Sequence, residues 1–209
     1  SSDGGYVLAG TSLSNDGDVS GNHGSYDYWI VKIDVNRNIV WQRSFGGSGV
    51  DDAYSIQQTT DGGFIVAGSS RSNNGDVTGN HGMKDIWVVK MDVAGNIIWQ
   101  KTFGGSGDDA SFSIQQTNDG GYIMAGYATS YDGAGVDKGD VSQNIGQKDM
   151  WVVKTDMDGN KIWEGSYGGD NDEEAHSVIQ TKNGDYIIAG YTSSEANESH
   201  INGDIRQNH

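Results

Sequence analysis

A motif that returns about every sixty residues restricts the fold of this chain more than any other feature. Asp-Gly-Gly followed by Tyr or Phe begins at positions 3, 61 and 119, and a related Asn-Gly-Asp-Tyr begins at position 183. Two series of tryptophans keep the same step. A fixed period of this length indicates a repeat architecture. The 209 residues therefore hold about three and a half copies of one unit, which we place at 1–45, 46–103, 104–167 and 168–209.

Each copy predicts four short strands. In the second copy these are 53–59, 64–70, 86–92 and 97–103, which are rich in β-branched and aromatic residues and are separated by Gly, Asn and Asp. The second strand of each copy is apolar at consecutive positions, which is typical of a strand covered on both faces. This pattern favours a β-propeller blade over a β-solenoid coil, which is usually shorter. We predict an all-β fold, a β-propeller of four-stranded antiparallel blades. We also expect a fragment of a larger propeller, which other blades or chains close.

The repeat motifs resemble those of a known family. Gly-Gly-Ser-Gly-Asp-Asp at 104–109, Asp-Gly-Gly-Phe-Ile-Val-Ala-Gly at 61–68 and the segment 86–100 resemble the bacterial secreted β-propeller repeats, and the resemblance covers every copy. It implies a secreted or cell-surface location but no particular chemistry. Segment 88–100 is also similar to the tryptophan-docking motif of quinoprotein propellers. That similarity implies that Trp41, Trp99 and Trp163 wedge between adjacent blades as structural residues.

The charge of the chain is strongly acidic and unevenly placed. There are 29 acidic and 13 basic residues, for a net charge of −16. Antiparallel strands bring two kinds of loop to one end of each blade: the long loop between its second and third strands, and the junction loop that leads to the next repeat. Of the 29 acidic residues, 20 fall in or beside these loops, at what we call the acidic end. Such a surface attracts cationic partners and repels nucleic acid.

The composition excludes further classes of site. The chain has no cysteine, so a disulfide framework, a thiolate metal site and a cysteine nucleophile are all excluded. No apolar run approaches the roughly 18 residues of a membrane-spanning helix, so we expect no membrane insertion.

The long loops predict a calcium site. Segments 15–27 and 73–85 share the pattern G-D-V-x-G-N-H-G-x-x-D, and the third copy keeps most of it with Ile145 in place of the histidine. Oxygen ligands at short spacing with glycines between them suit Ca²⁺. The alternative is that the Asp and Asn side chains bond only to the backbone of their own loop, as in Asx turns. The candidate ligands are Asp18, Asn22, Asp27, Asp76, Asn80, Asp85, Asp132, Asp137, Asp140, Asn144 and Asp149.

Two other patterns invite a chemical interpretation. Paired acids such as Asp51-Asp52 recur in the junction loops. A pair of this kind suits general acid–base catalysis, but its recurrence in each repeat favours a structural turn or a repeated weak cation site. Lys32, Lys90 and Lys154 each stand two positions before an aspartate, which predicts an ion pair on one face of the same strand.

These features predict a non-catalytic binding or display module that presents equivalent loops on one end and gains strength by avidity. The expected ligands are Ca²⁺, a glycan or a partner protein. One alternative is a fragment of a propeller enzyme, a hydrolase or quinoprotein-like protein, with its active centre on missing blades. Another is an architectural spacer in an adhesin or filament. We assign no catalytic residue, because the sequence holds none of the usual nucleophile, zinc or phosphate-loop motifs.

Overall fold

The computed structural model describes residues 1, 3–129 and 139–194, and this part of the chain is all β. The strands are β1 (Tyr6–Ser12), β2 (Asp27–Ile33), β3 (Ile39–Phe45), β4 (Asp51–Gln58), β5 (Phe64–Ser70), β6 (Asp85–Met91), β7 (Ile97–Phe103), β8 (Asp109–Gln116), β9 (Tyr122–Ala128), β10 (Asp149–Thr155), β11 (Lys161–Tyr167), β12 (Glu173–Gln180) and β13 (Tyr186–Thr192). Two of the four strands predicted for the second copy, 64–70 and 97–103, have the predicted bounds, and the other two are displaced by one or two residues.

Each sheet is built from consecutive strands. The described residues form a three-stranded sheet β1-β2-β3, two four-stranded sheets β4-β5-β6-β7 and β8-β9-β10-β11, and a two-stranded sheet β12-β13. Every pairing between neighbouring strands is antiparallel. The prediction of an all-β chain with four-stranded antiparallel sheets is therefore confirmed.

The core lies between successive sheets. Strands β5, β6, β9 and β10 are almost wholly buried, in agreement with their runs of consecutive apolar residues. One apolar cluster joins the second sheet to the third and contains Ile65, Val88, Met124 and Trp151. Similar clusters join the first sheet to the second and the third to the fourth. Burial of apolar surface between the sheets is therefore what holds consecutive repeats together.

The first strand of a repeat carries a bulge at one fixed position. The register of β4 shifts between Ala53 and Ser55, so Tyr54 has no partner on β5. Strand β8 has the same irregularity at Phe112, and β12 has it at His176. A bulged residue leaves the regular alternation of faces and turns its side chain in a new direction. In three sheets, therefore, the bulge changes the direction of the side chain at the same position of the repeat.

The prediction of ion pairs within one strand is wrong. Lys90, which is 3% exposed, places its Nζ 2.8 Å from Asp61 in the turn between β4 and β5. Lys32 pairs in the same way with Asp3, and Lys154 with Asp119. The aspartates two positions after the lysines cap their own turns instead. The carboxylate of Asp92, for example, accepts hydrogen bonds from the backbone N–H groups of Ala94 and Asn96. The backbone of its own turn therefore satisfies Asp92, and Lys90 pairs with the aspartate of the turn that precedes β5.

Candidate functional site

The loops of consecutive sheets join at the acidic end. The backbone N–H of Asp51 donates to the carbonyl of Tyr26 in the preceding repeat, at 2.6 Å. Asp109 bonds in the same way to Lys84, and Glu173 to Lys148. The first strand of each later sheet therefore begins against the long loop of the sheet before it, and equivalent positions of successive repeats can be compared directly.

Two buried carboxylates meet at each of these junctions. Asp27 and Asp51 both approach the α-carbon of Gly46, and a Cβ placed there would lie 2.6 Å from Asp27 Oδ1 and 2.6 Å from Asp51 Oδ2. Asp85 and Asp109 approach Gly104 in the same way. The four aspartates are at most 1% exposed. The junction loops need glycine at this position because any side chain would collide with both acids.

The third junction follows the same plan with different residues. Asp149 and Glu173 meet above Gly168, and the Asp149 Oδ1 atom lies 2.5 Å from the place that a Cβ would take. In the first two junctions a histidine Nδ1 lies 2.9 Å from the first aspartate, as in the pair His81–Asp85. In the third, the backbone N–H groups of Ile145 and Gly146 donate to Asp149.

Burial disturbs the protonation of these acids. Burial and, to a smaller extent, the nearby charge of Asp109 together raise the pKa of Asp85 to about 6, against the hydrogen bonds from His81. Burial also raises the pKa of Asp51, and the nearby charge of Asp27 acts in the same direction. One oxygen of Asp27 and one of Asp85, the Oδ1 atom in each case, are buried without a hydrogen-bond donor among the described residues.

The asparagines among the predicted calcium ligands hold the backbone of the long loops. Asn22 donates through Nδ2 to the carbonyls of Ser12 and Ser25 and accepts through Oδ1 from the N–H of Gly24. Asn80 repeats two of these bonds in the second repeat, and Asn144 one of them in the third. The bonds that Asn22 and Asn80 accept from the N–H groups two residues on have the Asx geometry of the alternative interpretation, and the bonds from Nδ2 tie the loop to the end of the preceding strand.

The predicted aspartate ligands lie in different surroundings. Asp27, Asp85 and Asp149 belong to the buried pairs described above, whereas Asp18 is exposed on its loop. The Asp76 carboxylate accepts from the N–H of Gly46, and Asp140 pairs with Lys161 at 2.9 Å. Asp132 and Asp137 lie outside the described residues. Within 1, 3–129 and 139–194, no three His, Asp or Glu side chains are grouped in a way that could hold a metal ion, and calcium binding stays a prediction.

The tryptophans on the last strands of the first three sheets, β3, β7 and β11, contact the next sheet. Trp41 meets Phe64 edge to face with ring centroids 5.9 Å apart, and Trp99 meets Tyr122 in the same way at 5.8 Å. Trp163 lies 5.8 Å from Tyr186 by the same measure. Each ring thus lies between a strand of its own sheet and the second strand of the next.

The bulged residues form an aromatic row, which sequence reasoning missed. Phe112 lies between Tyr54 and His176, with ring centroids 5.2 and 5.0 Å away. Tyr127 and Tyr191 flank this row, at 5.8 Å from Phe112 and from His176 respectively. Tyr54 and Tyr191 are 46% and 42% exposed. The row therefore presents several rings to solvent at the acidic end of the sheets.

Hydrogen bonds between the first strands keep the row together. The backbone N–H of Gln116 donates to Gln57 Oε1 at 2.6 Å, and that of Gln180 donates to Gln115 Oε1 at 2.7 Å. Strands β4, β8 and β12 therefore lie side by side, with their bulges adjacent. An aromatic or imidazole ring at the same position of three aligned repeats was the available signal in the sequence, but the period-two pattern of a strand does not reveal a bulge.

Two lysines lie beside the row. Lys148 Nζ lies 4.6 Å from the centre of the Tyr127 ring and 2.6 Å from Glu174. Lys84 Nζ lies 5.6 Å from the same ring centre and donates to the hydroxyl of Tyr127 at 3.0 Å. Tyr127 is thus an aromatic contact for two ammonium groups. The site combines exposed rings with a small number of charged groups.

Comparisons with known proteins give likenesses to solved structures alone. No family model and no curated protein matches the chain. A crystal structure of a protein of unknown function from Bacteroides caccae is similar over 78% of this chain, with 13% sequence identity and a TM-score of 0.45. The match covers 47% of that protein, so this chain spans about half of its length. Within the described residues, no helix has the length and apolar character needed to cross a membrane.

Proposed function

We propose that this chain is part of a β-propeller that binds carbohydrate without catalysing a reaction, and that the aromatic row is its binding site. The propeller arrangement is supported by consecutive sheets of one repeat each, packed face to face, with their first strands side by side. The observation that carries the function is the repeated bulge, which collects Tyr54, Phe112 and His176 into one partly exposed row.

The chemistry of the row suits a sugar ring. Aromatic rings carry negative charge on their faces, and the C–H groups on one side of a pyranose are weakly positive. Rings of this kind add large contact area, while a few polar groups fix the orientation of a ligand. Tyr54 and Tyr191 supply exposed hydroxyl groups, and Lys84 supplies a charge beside the row.

A non-catalytic role is supported by the burial of the paired carboxylates. Asp51, Asp85 and Asp109 are 0% exposed, and each pair lies against the backbone of a glycine. A general acid or base must come within hydrogen-bond reach of its substrate. We include a secreted or cell-surface location in the proposal, since it follows from the resemblance of the repeats and suits a polysaccharide ligand.

Calcium is retained as a second ligand of the proposed module. The observation in its favour is the buried Oδ1 atom of Asp27 and that of Asp85, each without a donor among the described residues. A buried carboxylate oxygen is stabilised by a cation or by a proton when no donor faces it. The role of such an ion would be structural, at the junctions between sheets.

Binding to a panel of neutral and charged polysaccharides, measured by affinity electrophoresis and then by calorimetry, tests the function. We expect one class to bind, and we expect Tyr54→Ala and Phe112→Ala to weaken it at least tenfold. Tyr6→Ala is the matched control, because Tyr6 is 63% exposed on β1 and is not part of the row. Absence of binding to every polysaccharide, or equal binding by the Tyr54→Ala variant and the wild type, would contradict the proposal.

A further inference from the structure

The basic side chains of the acidic end differ in their partners. Within the described residues this end carries Arg71, Lys84 and Lys148. Arg71 pairs with Asp108 at 3.2 Å, and Lys148 pairs with Glu174 at 2.6 Å. Lys84 has no carboxylate within ion-pair distance in the part of the chain that the structure describes, and its Nζ donates to the hydroxyl of Tyr127. An ammonium group that avoids every described carboxylate at an end so rich in acids is available to a ligand.

A single substitution between repeats accounts for this. Lys84 and Lys148 occupy the same position, because their carbonyls accept from the N–H groups of Asp109 and Glu173 respectively. Each also forms an isolated parallel bridge to the residue before that acid. The partner of Lys148, Glu174, directly follows Glu173; the residue that directly follows Asp109 is Ala110. The second repeat therefore has the lysine of this pair without its glutamate.

We propose that Lys84 binds a carboxylate of the carbohydrate ligand, so that the preferred ligand is an acidic sugar. The ligand carboxylate would take the place beside Lys84 that the Glu174 carboxylate takes beside Lys148. This inference rests on the proposed function of the aromatic row. The contact between Lys148 and Glu174 shows that an ammonium group at this position of the repeat reaches a carboxylate at 2.6 Å.

The local contacts of Lys84, rather than the net charge of the acidic end, fit an acidic sugar. The Tyr127 hydroxyl and ring hold the Nζ atom beside the row, and Tyr127 contacts Phe112. Burial and the charge of Asp52 raise the pKa of Tyr54. The charge of Lys84 lowers the same pKa, so Lys84 also acts on the hydroxyl of that ring. A pyranose on the row would therefore have an ammonium group near its edge, where a ring carboxylate projects. A charge-assisted hydrogen bond of this kind contributes about tenfold or more in affinity.

The experiment compares the affinities of a uronic acid oligosaccharide and a neutral oligosaccharide of equal length. We expect wild type to bind the acidic one at least tenfold more tightly. Lys84→Gln is expected to remove this preference and Lys84→Arg to retain most of it. Ala110→Glu supplies the missing internal partner, as the fourth sheet does at Glu174, and is expected to remove the preference while neutral binding stays. Lys148→Gln is the matched control and keeps the preference, because that lysine already has a partner.

The outcomes separate this inference from the proposed function. Equal binding of acidic and neutral sugars overturns the role of Lys84 and leaves the aromatic row as a carbohydrate site. Failure of both sugars to bind overturns both proposals. A sulfated oligosaccharide that binds tightly and loses its affinity in Lys84→Gln supports the same contact with a different anion. Tighter binding of an amino sugar than of the acidic sugar contradicts the inference, since Lys84 would repel its ammonium group.

Discussion

The carboxylates of Asp85 and Asp109 lie against the same α-carbon, that of Gly104. A Cβ on this glycine would be 2.8 Å from Asp85 Oδ1 and 2.7 Å from Asp109 Oδ2. The two acids belong to consecutive sheets, so their mutual repulsion acts directly on the contact between repeats.

Asp85→Asn is expected to stabilise the protein at neutral pH. Burial raises the folded-state pKa of Asp85 from 3.8 to about 6, so the folded protein binds a proton more tightly than the unfolded chain. Stability associated with this group therefore falls as pH rises from about 4 to about 6. The asparagine variant removes this fall. Thermal melting in calcium-free buffer should show a higher Tm than wild type at pH 7 and a smaller difference at pH 4.

Asp92→Asn is the control for this measurement. Hydrogen bonds from Asn96 lower the pKa of Asp92, so loss of that charge should act in the opposite direction. A lower Tm for Asp85→Asn than for wild type at pH 7 would show that the buried acid is stabilised as an anion.

Asp61→Asn is expected to lower the free energy of unfolding by about 2 kcal/mol. It leaves the buried ammonium group of Lys90 without its charge partner, 2.8 Å away. Burial of Asp61 opposes its ionisation, but hydrogen bonds from Lys90 and Thr59 lower the pKa to about 2. The contribution is therefore complete above pH 4 and is lost as pH falls towards 2. Urea denaturation at pH 7 and pH 3 measures both effects. The double variant Asp61→Asn with Lys90→Met should recover part of the loss; equal stability of Asp61→Asn and wild type would contradict the prediction.

Gly95→Ala is expected to destabilise the protein more than Gly62→Ala. Both glycines have positive φ, 78° and 85°, so both substitutions incur a similar backbone cost of about 1 kcal/mol. A Cβ at Gly95 would also lie 3.1 Å from the ring of Trp41, whereas a Cβ at Gly62 meets nothing within 4 Å. The difference between the two variants measures the contact of the tryptophan with the next sheet. Equal losses in chemical denaturation would show that this contact adapts without cost.

Calcium is expected to raise the Tm of the wild type relative to a chelator. Ligand at a hundred times its Kd stabilises by about 2.7 kcal/mol. Asp27→Asn should reduce the increase if the buried oxygens hold the ion, and Asp18→Asn should reduce it if the loop ligands do. Melting that is the same in calcium and in chelator would remove calcium from the proposal.

Sequence reasoning predicted the strands because their signals are local. Strand β5 has seven buried residues in a row, and the apolar run 64–68 within it is visible in the printed sequence. The turn at Arg37 is equally visible: the arginine stands where the next two repeats have Gly95 and Gly159, and its φ of 72° is the one positive value for a residue other than glycine in the described part of the chain. The conformation of a turn depends on a few adjacent residues, so comparison of the repeats predicts it.

The side-chain partners could not be predicted in the same way. Asp61 and Asp92 are both candidate partners of Lys90, and Asp92 is nearer in the sequence. The antiparallel pairing of the strands nevertheless brings Asp61 to the Nζ atom of Lys90. Likewise the sequence shows acids in the long loops and in the junction loops, but it does not show that one acid of each kind meets its partner at the same glycine. Distances between repeats depend on how the sheets pack, which no single repeat encodes.

The sequence by itself determined that this protein is a series of β-sheets with its acids concentrated at one end, because period, apolar runs and turn residues are local properties that recur. Only the tertiary structure decided which side chains meet. The bulges that aim Tyr54, Phe112 and His176 at one another, and the junction that leaves Lys84 without a glutamate, arise from the packing of one repeat against the next.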